Sequence, residues 1–305
     1  MDEKTADKFI GEGNQEQAGR GRNVEILLKV IRHGERTKEG ELTDHGREIT
    51  AQRAAESGIS AEDFDAVKAI GSTAGPKGPD GMQRALETAD IYAEQIAGDK
   101  VLNTRGSEVL SYETLKLSPP FDWKKEYDSH LPDNFEQLSN EEKVKAAKTA
   151  QAATFSVLFN LHTPEAEDMK KELAGSFAYL VDRYTKMAHR LDSGSRVLMP
   201  AGTHGGSMEF LLQCALVWTD EQGVQHTGLD SLEPIGGEFS PSDSYNVSLK
   251  TDAEGNLERV KVTFDSPERP KGEMWLDLAR LEEPLAFYRE LHPEVGAYPE
   301  FTNKN

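Results

Sequence analysis

Apolar and polar positions along this chain fall into blocks of two periods. Residues 24–31 (VEILLKVI) form a nearly unbroken apolar run, rich in β-branched side chains. That is the pattern of a strand covered on both faces in a parallel sheet. It ends abruptly in Arg32-His33-Gly34-Glu35-Arg36. Leu42-Thr43-Asp44 then reads as a helix start with Thr43 as N-cap, and the helix is expected to run to about residue 58. Residues 67–72 (VKAIGS) predict a second strand and 73–81 (TAGPKGPDG) a Gly/Pro-rich loop. A helix is expected over 82–96, with Leu86, Ala89, Ala93 and Ile96 on one face.

A strand is expected within 107–115, followed by an irregular stretch over 116–133. Two long helical patterns come next, 140–161 and 164–191, the second with Thr163 as N-cap and Pro164 at the first helical position. A further buried strand over 195–201 leads into Gly202-Thr203-His204-Gly205-Gly206, and helix returns over 207–218. Strands at 244–250 and 257–264 flank a turn with hairpin chemistry at 252–256, and a last helix covers 273–291. No internal repeat is visible. Strands alternating with helices predict an α/β fold: a mostly parallel sheet with helices on both faces, plus a helical insertion at about 116–192. Residues 1–22, polar and Gly-rich, are expected to be a flexible tail ahead of a single domain over 23–300.

Charge narrows the chemistry. A formal net charge of −19 on 305 residues argues against nucleic acid or an anionic membrane as partner. Any anion site must then be a local basic pocket. The start, Met1-Asp2-Glu3-Lys4, shows no signal-peptide pattern, and no apolar run approaches the roughly 18–20 residues of a membrane span. The single cysteine, Cys214, excludes an intrachain disulfide and fits a reducing compartment, so a cytoplasmic protein is expected. Cys214 falls on an apolar helix face and reads as a core thiol. Asn246-Val247-Ser248 matches a glycosylation sequon but reads as strand.

Two histidines carry the candidate chemistry. His33 and His204 each leave a strand, and each is followed by glycine, which lets a ligand approach the backbone closely. Ligands of open α/β sheets bind outside the carboxyl ends of the strands. The remaining histidines (His45, His130, His162, His189, His226, His292) show no metal-ligand spacing, so neither catalytic metal nor cofactor is expected. Residues 71–77 (GSTAGPK) lack the Gly-Lys-Ser/Thr ending of a nucleotide-binding loop, and Lys77 reads as solvated. Phe121, Trp123 and Tyr127 read first as packing, with a substrate-facing role as the second option.

In combination these residues resemble the histidine phosphatase superfamily, which includes the cofactor-dependent phosphoglycerate mutases. The resemblance rests on Arg32-His33-Gly34, Leu42-Thr43 with Gly46, Ser72 with Arg84, Thr88 and Ala89, and Thr203-His204-Gly205-Gly206. It implies a phosphoglycerate mutase-like fold and hydrolysis of a phosphate monoester through a phosphohistidine on His33. The residue chemistry agrees. Arginine binds phosphoryl oxygens bidentately, so Arg32 and Arg84 suit a clamp, with His204 as a further wall. A neutral His33 held in one tautomer can attack phosphorus. The leaving oxygen needs a proton, and resemblance places the donor at Glu113, ahead of Glu108 and Glu35. Position 205 is Gly where another branch carries Asp, which counts against a phytase-type reading.

Two departures stand out. The 73–81 loop separates Ser72 from Arg84 by more residues than the family pattern has. Ser111-Tyr112-Glu113-Thr114-Leu115 also does not match the mutases' run around their acid, which favours hydrolysis over transfer. A mutase-like phosphotransferase and a catalytically silent phosphate-binding scaffold are the alternatives. A phosphorylated small molecule or a phosphoprotein would be the substrate. Arg36 has no assigned role, and the 140–191 helices stand equally as a lid or as added bulk.

Overall fold

The apolar run becomes β1 (Glu25–Arg32), and its alternation divides between two helical layers. The computed structural model describes residues 19–205 and 207–296, so most of the expected tail lies outside the described residues. Residues 19–22 are tied down, with Gly21 N–H donating to Leu191 O at 2.8 Å. Ile26, Leu28 and Val30 join the main core with Phe177, Leu180 and Val181 of α5 (Pro164–Ala188) and with α6 (Ser207–Ala215). Ile31 turns the other way, onto Ala54 of α1 (Asp44–Glu56) and Tyr92 of α2 (Arg84–Ala97). Each such side chain stabilises the fold by about 1.5–3 kcal/mol.

Lys29 interrupts the run and is fully buried. Its ammonium pairs with Asp265 and lies 5.3 Å from the Tyr92 ring centroid. Asp265 also accepts from Ser244 Oγ and Asn246 Nδ2, both at 2.8 Å. Burial pushes the Lys29 pKa well down. Asn246 thus serves the strand, as expected.

β2 (Ala66–Ser72), β3 (Val101–Ser107) and β4 (Arg196–Thr203) complete the parallel half of the sheet, in the order β3-β2-β4-β1. Beyond β1 the pairing turns antiparallel: β7 (Ser244–Lys250), β8 (Lys261–Phe264), β9 (Met274–Leu276), β5 (Leu216–Thr219) and β6 (Gln225–Thr227). The sheet is therefore mixed, with parallel pairing confined to the half that carries the two histidines. The α/β architecture with helices on both faces stands as expected. No helix among the described residues is long and apolar enough to cross a membrane.

Several local expectations differ. The third strand ends where it was expected to begin, and residues 108–110 and 112–114 form 3₁₀ turns. The stretch at 116–133 contains α3 (Trp123–Ser129), started by the Asp122 side chain accepting from Lys125 N–H. The 207–218 and 273–291 patterns each hide a short strand, β5 and β9, and the last helix of that stretch is α7 (Glu282–Leu291). Apolar runs this short read equally as helix or strand. α4 (Asn140–Asn160) starts where the pattern was expected to, with Ser139 closing a capping box, and α5 starts at Pro164 behind the expected cap Thr163. α5 packs on α6, α7 and β7 and supplies much of the main core, so it is a layer of the sheet fold and not an inserted lid.

Candidate active site

β1 and β4 lie side by side in parallel register, Arg32 opposite Thr203, so both histidines emerge at one sheet edge. His33 N–H donates to Thr203 O at 2.8 Å, and Gly34 N–H donates to Thr88 Oγ1 of α2 at 3.0 Å. The rings of His33 and His204 are 5.1 Å apart, edge to face, and both are buried.

Each ring is held in one tautomer. His33 Nδ1 lies 2.7 Å from Gly34 O, and a carbonyl only accepts, so Nδ1 carries the proton and the Nε2 lone pair is left for other use. Burial, with Arg84 next, lowers the His33 pKa to about 3. The Gly34 bond works the other way, and Arg32 and Arg36 add smaller repulsions. For His204, Arg84 Nη2 donates to Nδ1 at 3.2 Å and Nε2 lies 2.9 Å from Ser72 Oγ. Burial and then His33, Arg84, Arg36 and Arg32 lower its pKa to about 2. Both imidazoles are neutral at pH 7.

The arginines arrive from three elements. Arg32 ends β1, and its Nη1 donates to Phe239 O. Its guanidinium lies across Gly205, where a Cβ would stand 2.6 Å from Arg32 Nε, so a larger residue there would displace the guanidinium. Arg84 opens α2. The 73–81 loop does not displace it, because a bridge between Lys77 and Gln83 closes the loop and returns the chain to the site. The Arg84 guanidinium fills the space a Cβ on Gly75 would occupy, and Nη1 donates to Gly40 O at 3.3 Å. Arg32 Nε and Arg84 Nε are buried without a hydrogen-bond partner. Arg36, left without a role by the sequence, acts electrostatically on His33, His204 and Arg84 and stands exposed at the rim.

The three carboxylates separate clearly. Glu113 is exposed, its Oε1 accepts from Gly75 N–H at 3.0 Å, and its charge acts on Arg84, so it stands at the edge of this group. Glu108 lies by Tyr288 of α7, and Glu35 lines a cavity of about 120 Å³ with His45, Ile49 and residues 240–242. Gly206, the last residue of the second motif, lies outside the described residues.

Other neighbours escaped sequence reasoning. Ser111 is buried, its Oγ 3.1 Å from Ser72 Oγ and 2.7 Å from Thr73 N, and so braces the serine that holds His204. Tyr112 sets its ring edge-on to His204 at 4.7 Å. Of the aromatics named from the sequence, Tyr127 of α3 lies within electrostatic reach of Arg36, whereas Phe121 and Trp123 stack on one another and pack on the core, as first expected. Arg269, buried, donates to Ile235 O, Gly237 O and Glu238 O at 2.6–3.0 Å and lies 3.8 Å from the Phe239 ring centroid. It thereby fixes the loop whose Phe239 carbonyl holds Arg32. In that loop, burial and then the Glu209 carboxylate push Glu238 up to about 7, against the pull of Arg32. The Arg32–Phe239 contact, made across 207 residues of chain, leaves no local pattern to read. Among the described residues no three His, Cys, Asp or Glu side chains gather as a metal-ligand group.

Two neutral histidines and three guanidiniums thus gather at the carboxyl edge of the parallel half of the sheet, an arrangement whose chemistry suits a compact, multiply charged anion. No protein-family model and no curated protein matches the sequence. Solved structures do show similarity. A mycobacterial glucosyl-3-phosphoglycerate phosphatase is 14% identical over 79% of this chain and 98% of its own, with a TM-score of 0.38. A structure described as mycobacterial hydrolase 1 is 15% identical over 79% and 97%, with a TM-score of 0.36. A phytase from Klebsiella sp ASR1 is 10% identical over 91% and 97%, with a TM-score of 0.40. Values this low speak to neither substrate nor mechanism.

Proposed function

We propose that the protein hydrolyses a phosphate monoester through a phosphohistidine on His33. The observation that carries this reading is the fixed tautomer of His33: Nδ1 is committed to Gly34 O, and Nε2 is unprotonated in a box of guanidiniums. Arg32 and Arg84, with Arg36 at the rim, take up the phosphoryl oxygens. Catalysis of such transfers is mostly positioning and charge stabilisation. His204 walls the site and orients Arg84, whose Nη2 donates to its Nδ1.

In the first step His33 Nε2 attacks phosphorus, the N–P bond forms and the P–O ester bond breaks. The leaving oxygen takes a proton from Glu113. In the second, Glu113 as carboxylate takes a proton from water, the water oxygen attacks phosphorus, and the N–P bond breaks. Orthophosphate and neutral His33 result. The substrate would be a phosphorylated small molecule or a phosphoprotein.

Release of orthophosphate from p-nitrophenyl phosphate and from an alkyl phosphate, compared between the native chain and His33→Ala, tests this. Activity that disappears with the imidazole supports the assignment. Activity that survives in His33→Ala removes it.

A further inference from the structure

Tyr112 is 44% exposed, yet its position is fixed from both sides. Ser111 before it is buried and bonded to Ser72 and Thr73, while Glu113 after it is bonded to Gly75 N–H. Thr114 Oγ1 closes the turn on Ser111 O at 2.7 Å. The ring meets His204 at 4.7 Å with the planes 76° apart, and His204 Nδ1 in turn accepts from Arg84 Nη2 at 3.2 Å, so the Tyr112 side chain stands beside that guanidinium and favours its charge. A large aromatic held this rigidly in the open, against both a site histidine and a site arginine, fills no core.

We propose that Tyr112 is a substrate contact: its hydroxyl donates to a phosphoryl oxygen beside Arg84, and its ring walls the path of the leaving group. Arginine can only donate, so Tyr112 Oη turns a lone pair to the guanidinium and keeps its own proton for another acceptor. A phosphoryl oxygen bound by Arg84 is the anionic acceptor next to it. The ring's place follows from in-line geometry. His33 attacks from the buried side, so the leaving group departs towards solvent, where the Tyr112 ring stands outside His204. The inference rests on the phosphate monoester reading and adds to it a residue that tunes leaving-group preference.

The test is orthophosphate binding by calorimetry for the native chain, Tyr112→Phe and Tyr112→Ala, with kcat/KM for a small alkyl phosphate and for a bulky aryl phosphate. Both variants are expected to bind orthophosphate about tenfold more weakly, the size of one hydrogen bond to a charged group. Tyr112→Ala alone is expected to lose about a further fivefold in kcat/KM with the bulky aryl phosphate, since only it lacks the ring. Native-like orthophosphate affinity in Tyr112→Phe, with an unchanged melting temperature, overturns the hydroxyl contact. Equal aryl losses in Phe and Ala overturn the wall. A native chain that binds orthophosphate but turns nothing over sinks the hydrolase reading while the binding comparison still decides Tyr112. A native chain that binds none sinks both.

Discussion

His33 and His204 present their rings edge to face at 5.1 Å, each buried and each beside Arg84. Both resist protonation, with pKa values lowered from 6.5 to about 3 and about 2. The unfolded chain takes up these protons as pH falls below about 6.5, and the folded chain does not. The stability these rings allow is therefore complete above pH 6.5 and is lost as pH falls from there towards about 3. Urea unfolding at pH 7.5 and pH 5 should show the lower stability at pH 5, and His204→Gln should flatten that dependence. Glu238, raised to about 7, has the opposite sign: the folded state holds its proton longer, so its contribution weakens as pH rises from about 4.5 to 7.

Arg84 holds His204 Nδ1 at 3.2 Å and Gly40 O at 3.3 Å while presenting its remaining donors to the site. A lysine cannot reproduce that planar fork. Arg84→Lys should lower kcat/KM by about 10- to 100-fold, or about 1.4–2.7 kcal/mol of transition-state binding. A loss below threefold would mean that Arg84 does not touch the phosphoryl group.

Glu113 stands at the rim, anchored through Gly75 N–H and beside Arg84. If it protonates the leaving oxygen, Glu113→Gln should cost about 100-fold with an alkyl phosphate and only a few-fold with p-nitrophenyl phosphate, whose leaving group needs little protonation. Equal losses on the two substrates would remove Glu113 as the acid.

Arg269 donates to three carbonyls of the loop that positions Arg32. Arg269→Met keeps an apolar chain beside Gly236 but removes the guanidinium from Phe239 and leaves those carbonyls without their donor. It should destabilise the chain by about 3 kcal/mol and weaken orthophosphate binding as well. A stable variant with native phosphate affinity would show the brace to be dispensable.

What could be read along the chain was local. Arg32-His33-Gly34 and Thr203-His204-Gly205 sit at strand ends that the apolar runs before them announce, and Thr43 and Thr163 cap the helices they were expected to cap. β3 escaped because it is a polar strand at the sheet edge, its residues half-buried or exposed, with no apolar alternation to find. β5 and β9 escaped because three or four apolar residues beside helical patterns carry no period of their own. Arg36, Tyr112 and Arg269 belong to the site through contacts between distant segments. Their side-chain types are ordinary surface types until the fold brings them together.

The central claim is a covalent bond between phosphorus and His33 Nε2. The direct measurement is rapid quenching of the native chain during turnover of a labelled phosphate monoester, followed by mapping of the labelled peptide. The account predicts an acid-labile, alkali-stable phosphoryl group on His33, present in Glu113→Gln and absent in His33→Ala. Turnover without any phosphoenzyme, or label on a residue other than His33, would contradict it.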